Sequence, residues 1–324
     1  MKRLLVLRLS ALGDVIHTIP AVLSLKDAAD ITWVVEEPYR ELVEIVAGVK
    51  TIPVRMKKWM REPRVATAAI RSMRGVDAAI DFQGLIKSAT LGWLSGAKTR
   101  IGFDADAIRE KPALLFTNRK VPVDISKHIV DQNLQLAAAS LGVRWPQPPL
   151  LYATEQDHHP PKAVAAATAL QNGFAAFPQA TGLDAFAGSI VLLPGAGKAS
   201  KLWPVERFRE LAKQIGPKAL AVWGPGEREL ADRIGARVAP PTNLRELAWL
   251  LQKAEVVIGG DTGPLHLADA LGTKVLGLYG PTDPRRNGPY HQPQHCIDRF
   301  PTTKWMESIS VEEVMNLLGK VISE

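Results

Sequence analysis

The feature that most constrains this chain is an alternation, run through twice, of short β-branched stretches and longer segments of helical periodicity. In the first half the stretches are LLVLRL at 4–9, ITWVVEE at 31–37, TIPVR at 51–55, DAAIDFQ at 77–83 and TRIGF at 99–103. Between them apolar residues recur at helical spacing over Val15–Ala28, Tyr39–Ala47, Arg64–Met73, Leu85–Leu94 and His128–Leu141. Strands separated by helices pair in parallel, and the helices then cover both faces of the sheet. The second half repeats the pattern with SIVLLPG at 189–195, KALAVWG at 218–224, EVVIGGD at 255–261 and KVLGLYG at 274–280. A chain of 324 residues is long for one such domain, so two α/β domains with doubly wound parallel sheets are predicted. Prolines and polar residues in WPQPPLLYATEQDHHPP, from Trp145 to Pro161, interrupt any regular element. The predicted division is 1–160 for the N-terminal domain, 161–188 for a linker region, 189–307 for the C-terminal domain and 308–324 for a closing helix. That helix opens on Ser310-x-x-Glu313, a capping-box pattern.

Apolar residues make up 46% and charged residues 23% of the chain, which excludes a disordered polymer. A single cysteine, Cys296, cannot close an intramolecular disulfide and fits a reducing compartment. The opening MKRLLVLRLSALGD is interrupted by Arg8 and Asp14 and is predicted to be a first strand rather than a signal peptide. No run approaches the length of a spanning helix. The net charge of +7 is concentrated between Lys50 and Arg74, where eight basic residues face only Glu62. Such a stretch is either a solvated face or a surface for an anionic membrane or a phosphorylated substrate. Nucleic acid is not expected, because no recognition motif accompanies the charge.

In open parallel sheets ligands bind beyond the carboxyl ends of the strands. Past the first strand lies Arg8-Leu-Ser-Ala-Leu-Gly13-Asp14. Gly13 allows a close approach, and Asp14 either caps the next helix or takes a proton from a hydroxyl. Past EVVIGG lies Asp261-Thr-Gly-Pro-Leu-His266. There the N–H groups of Thr262 and Gly263 at a helix N-terminus suit a diphosphate, with His266 a turn further on. Pro194-Gly-Ala-Gly-Lys198-Ala-Ser-Lys201-Leu-Trp-Pro204 suits an anion too, although it lacks the ending of a P-loop. Glu227, after Trp223-Gly-Pro-Gly, either accepts from a sugar hydroxyl or supplies charge to a helix start. Asp104 and Asp106 match an Asp-x-Asp metal motif formally, but no further acid accompanies them and no metal is expected there. His158 and His159 fall in the proline-rich tract and are expected to be exposed.

Taken together, SALGDVIHTIPA at 10–21, WVVEE at 33–37, DFQGLIKSA at 81–89, LLFTNRK at 114–120, KLWP at 201–204, GDTGPLHLADAL at 260–271 and YGPTDP at 279–284 resemble glycosyltransferase family 9, the bacterial heptosyltransferases. The resemblance implies the GT-B architecture, two Rossmann-like domains facing across a cleft. It implies transfer of L-glycero-D-manno-heptose from ADP-heptose, with inversion and with no metal or cofactor. The WVVEE, QGLIKSA and NRK pieces are closer to members that act on the first Kdo of Kdo2-lipid A than to members that extend a heptose. Work on such an acceptor implies a cytoplasmic protein peripheral to the inner membrane. By the same resemblance Asp14 is the general base. Lys201, Glu227, Asp261, Thr262, Gly263 and His266 hold the donor, while Gly13, Lys57, Lys58, Lys87 and Arg109 meet the acceptor. At Ala196 and Gly197, also assigned to the donor, the family has threonines, which leaves diphosphate contacts there to backbone N–H groups. Three alternatives stay open at this level: a family member with another acceptor, a nucleotide-sugar epimerase of the same shape, and a non-catalytic nucleotide-binding module that docks on membranes.

Overall fold

The apolar runs of the first half form β1 (Lys2–Leu7), β2 (Ala29–Glu36), β3 (Lys50–Val54), β4 (Ala78–Asp81), β5 (Thr99–Phe103) and β6 (Arg119–Val121) in a computed structural model that describes residues 2–59, 61–140 and 182–324. All six pair in parallel in the order β3-β2-β1-β4-β5-β6. The second half gives β7 (Ile190–Leu193), β8 (Ala219–Ala221), β9 (Arg237–Val238), β10 (Val256–Gly260), β11 (Val275–Tyr279) and β12 (Cys296–Asp298). Their order, β12-β11-β10-β7-β8-β9, is the same doubly wound topology read from the other edge. The chain divides into two compact units, Met1–Ala169 and Leu170–Glu324. The tract from Trp145 to Pro161, with His158 and His159, and positions 161–181 of the predicted linker region lie outside the described residues.

Central strands are apolar on both faces because helices cover both: Leu5, Val6, Val257 and Ile258 have no exposed surface. In the first unit Leu5, Leu7, Val34, Met73 and Leu91 share one core. In the second, Leu192, Phe208, Ile258, Leu276, Val314 and Leu318 share another. The closing helix is Val311–Ser323, and its capping box forms as expected: Glu313 N–H donates to Ser310 Oγ at 3.2 Å and Ser310 N–H to Glu313 Oε2 at 2.9 Å. One predicted helix breaks in two. Val15–Ala28 becomes Leu12–Ile16 and Ile19–Leu23, with Pro20 in the first turn of the second piece, where its missing N–H and fixed φ are tolerated. Asn133 holds the break, its Nδ2 donating to the His17 carbonyl at 3.0 Å. Strands β6, β9 and β12 carry no sequence signal of their own, being two or three residues long at sheet edges with charged members.

Candidate functional site

In each sheet the direction of strand addition reverses between the two central strands, β1 and β4 in one and β7 and β10 in the other. At such a switch point the loops leaving the two strands diverge and open a crevice beyond their carboxyl ends. Charged side chains gather at both.

In the first unit, Arg8 follows β1 and is 1% exposed. Its guanidinium donates to the Phe82 carbonyl, and its own carbonyl accepts from Trp33 Nε1 at 3.0 Å. The loops after β1 and β4 are tied together by Gln83, which accepts from Leu9 N–H at 2.9 Å and donates to the Ser10 carbonyl at 3.3 Å. Asp81, at the end of β4, accepts from the N–H groups of Gln83 and Gly84 and from Ser88 Oγ. Burial raises its pKa to about 6 against those hydrogen bonds and the Arg8 charge.

Asp14 sits in the first turn of Leu12–Ile16, whose N-cap is Ala11 and which no side chain caps. Its carboxylate is held instead by two guanidiniums. Arg8 Nη2 lies 2.6 Å from Oδ1, and Arg109 donates from both Nη atoms, at 3.0 Å to Oδ2 and 2.9 Å to Oδ1. Burial works to raise the Asp14 pKa, but the two arginines outweigh it and the net shift is downward. Burial likewise lowers Arg8 to about 10, which leaves it charged at neutral pH. Arg109 reaches Asp14 because Gly84 lets its segment close in. A Cβ on Gly84 would lie 3.2 Å from Ile108 Cγ1 and 3.3 Å from Arg109 N, at a φ of +66° that side chains rarely adopt.

Of the other residues assigned to the acceptor, Gly13 is buried in the same short helix and Lys87 pairs with Glu36 at 3.7 Å. Lys58 pairs with Glu62 at 3.4 Å along its own segment, and the Lys57 side chain lies outside the described residues. Ion pairs also engage Lys50 with Asp30 and Arg55 with Glu37. The basic stretch is thus partly neutralised by surface pairs that contribute little each. Asp104 accepts from the N–H groups of Asp106 and Ala107 in a turn. Among the described residues no group of three His, Cys, Asp or Glu side chains is gathered as a metal would need.

In the second unit Asp261 follows β10 and is 7% exposed. It takes Lys201 Nζ at 2.6 Å on one oxygen and His266 Nε2 at 2.9 Å on the other. Burial raises the Asp261 pKa, yet His266 and Lys201 prevail and hold it far below the usual carboxylate range. Thr262 is the N-cap of Gly263–Ala270, and its buried hydroxyl has no hydrogen-bond partner. Lys201, the helix N-terminus and the unpartnered Thr262 hydroxyl make a corner whose chemistry suits an anion.

In the same unit, the loops after β7 and β8 and the short helix Arg228–Asp232 border an open pocket of about 320 Å³ lined by Gly195, Ala196, Leu202, Gly226, Glu227, Glu229, Leu230 and Arg233. Glu227 accepts from Gly224 N–H at 2.9 Å and lies against Gly195, where a Cβ would fall 2.1 Å from its carboxylate. Of the residues predicted for the donor, Ala196 and Glu227 line this pocket, Lys201, Asp261, Thr262 and His266 gather at the corner with Gly263 opening its helix, and Gly197 takes part in neither. Sequence reasoning missed Arg8, Asp81 and Gln83 in the first unit and Leu202, Leu230 and Arg233 in the second. Gln83 had a usable signal, a polar residue two positions past the end of β4.

Two doubly wound units with charged switch points define a class, the two-domain enzymes assembled from a pair of Rossmann-like sheets. Similarity to known proteins narrows it. Lipopolysaccharide heptosyltransferase 1 of Pseudomonas aeruginosa is 33% identical over 325 residues, covering 92% of this chain and 84% of the relative. The structure of the E. coli heptosyltransferase WaaC with ADP matches with a TM-score of 0.79 at 29% identity, covering 98% of this chain and 99% of that one. The same enzyme with ADP-2-deoxy-2-fluoro heptose matches with a TM-score of 0.75 at 28% identity over the same shares. The family model for glycosyltransferase family 9 (heptosyltransferase) matches residues 66–314. The chain is a glycosyltransferase and belongs to family 9.

Proposed function

We propose that this protein transfers L-glycero-D-manno-heptose from ADP-heptose to the first Kdo of Kdo2-lipid A, with inversion and without a metal ion. The observation that carries the reading is the Lys201–Asp261–His266 cluster at a helix N-terminus whose Thr262 hydroxyl lacks a partner. It suits a sugar diphosphate, and relatives of this chain bind ADP and an ADP-heptose analogue.

The departing ADP gains negative charge as the sugar bond breaks. Lys201 and the N–H dipoles at Thr262 and Gly263 stabilise that charge without reorganising. Asp261 stays ionised and holds Lys201 and His266 at the corner. Ala196 and Gly197 contribute through their backbone, and Glu227, in the pocket of the same unit, accepts from ribose hydroxyls. Asp14 takes the proton of the attacking Kdo hydroxyl. Gly13 gives the acceptor room, Lys87 and Arg109 meet its anionic groups, and Lys57 and Lys58 extend the basic surface beside it.

Work on a lipid acceptor places the protein peripherally at the cytoplasmic face of the inner membrane. Among the described residues no helix is long and apolar enough to cross a membrane, so contact is through a surface. We further propose domain boundaries near residues 160 and 189. The deciding experiment measures ADP release from ADP-heptose with Kdo2-lipid A and, separately, with its mono-heptosylated product, in EDTA. Release with the first alone supports this reading. Preference for the second reassigns the acceptor, dependence on added Mg²⁺ overturns the metal-independent mechanism, and no release with either favours a non-catalytic module.

A further inference from the structure

Asp14 carries a contradiction as it stands. A base that must accept a proton from a sugar hydroxyl is covered on both oxygens by a bidentate arginine, and a carboxylate so held is both weak and occluded. The two arginines differ in how they are fixed. Arg8 is 1% exposed and anchored at the Phe82 carbonyl, so it cannot leave. The Arg109 side chain is 36% exposed, and both hydrogen bonds recorded for its guanidinium end on Asp14. Asp81 acts on Arg8 from behind, and Glu36 pairs with Lys87.

We propose that Arg109 is a latch that the acceptor itself opens: the carboxylate of the incoming sugar acid draws the Arg109 guanidinium off Asp14 and thereby frees the base in the same step that seats the substrate. Arg109 then serves the base and the acceptor in turn. In the free protein it keeps Asp14 ionised and shielded; in the complex it holds the acceptor, and Arg8 alone still pairs with Asp14. The exchange preserves one carboxylate–guanidinium pair throughout, so no buried charge is stranded. It also ties deprotonation to a substrate bearing an anionic group beside the attacking hydroxyl. The inference rests on the proposed acceptor being such a sugar acid.

Turnover by the full chain tests it through pH profiles, in which kcat/KM for acceptor reports the free enzyme and kcat the complex. In the wild type the acid limb of kcat should lie above that of kcat/KM, by about 1–3 pH units, the shift that one adjacent arginine imposes on a carboxylate. In Arg109→Ala the kcat/KM limb should rise to meet the kcat limb, and Arg109→Lys should fall between. A second arm uses an acceptor whose carboxylate is reduced to an alcohol. The wild type should lose at least about tenfold in kcat, the equivalent of one pKa unit, and Arg109→Ala should lose no more on this acceptor than on the natural one. An active Arg109→Ala protein with an unmoved kcat/KM limb, or equal losses in both proteins on the reduced acceptor, overturns the latch alone. ADP release with no acceptor at all responding overturns the proposed function and the latch with it.

Discussion

Under the proposed function, single residues divide the two switch points into a part that does chemistry and a part that binds. Replacing Asp14 with Asn keeps the volume and removes the proposed proton acceptor. Asp14→Asn should therefore lose kcat by about 10²-fold or more while ADP affinity, measured calorimetrically, stays within twofold, roughly the scale of general-base contributions; near-normal kcat would remove Asp14 from the mechanism. On the donor side, Gly195 is defined by what a methyl would meet. Its Cβ would fall on the Glu227 carboxylate at 2.1 Å, and the side chain, not the backbone, would have to move. Gly195→Ala and Glu227→Ala should then weaken ADP binding to a similar degree, and Gly195→Ala binding ADP like the wild type would show that Glu227 has no part in it. Asp14, Lys201, Asp261 and His266 stood out in the sequence because each lies between the end of a strand and the first turn of the helix that follows, where an open sheet binds its ligands, and the structure gathers Lys201 and His266 on Asp261. Arg8 did not. In the sequence it only interrupts an apolar run, and nothing local states that its guanidinium turns inward to a carbonyl 74 residues away.

At the scale of elements, periodicity identified the long helices and central strands, because burial on two faces leaves an apolar run and burial on one leaves a helical stripe. It failed where tertiary contacts supply the stability, at the edge strands β6, β9 and β12 and at the break before Pro20. The helix Ile86–Leu94 shows a further pattern that burial alone reveals. Ile86 and Trp93, two turns apart, are 41% and 54% exposed, and Leu115, in the short 3-10 turn Lys111–Leu115 packed beside this helix, is 84% exposed. Exposed Lys98 and Lys111 accompany them. Large apolar side chains bordered by lysines suit the interface of an anionic bilayer, where tryptophan settles at headgroup depth and each cation adds about 1 kcal/mol. The double substitution Trp93→Ala, Leu115→Ser removes one ring contact, that of Trp93 with the half-buried Phe116, and no fully buried side chain. It should reduce co-sedimentation with phosphatidylglycerol vesicles by about tenfold or more, from the apolar area withdrawn, and leave turnover of a delipidated Kdo acceptor unchanged. Undiminished vesicle binding would rule out this patch and leave the basic segment from Lys50 to Arg74 as the next candidate.

For the molecule as a whole, two units with separate cores respond to pH through different carboxylates. Asp14 in the first unit and Asp261 in the second both titrate below the ordinary aspartate value of 3.8. A depressed carboxylate contributes stability that is present above its unfolded pKa and lost as pH falls through its folded one, so both units weaken as the solution is acidified below about pH 4. Asp81 acts with the opposite sign and in the first unit only. Its pKa rises from 3.8 to about 6 on folding, so the folded state binds the extra proton between those values. The first unit should gain stability as pH falls from 6 towards 4, by about 3 kcal/mol at most, while the second gains nothing from this source. Urea unfolding followed by hydrogen exchange resolves the two units, since amides of β1 and β4 report one and those of β7 and β10 the other. Asp81→Asn keeps the shape and one acceptor oxygen but cannot ionise. It should abolish the gain in the first unit's stability as pH falls from 6 to 4, lower that unit's stability through the hydrogen bonds it loses, and leave the second unit's profile unchanged. A rise that survives in Asp81→Asn would place the responsible proton on another group of the first unit.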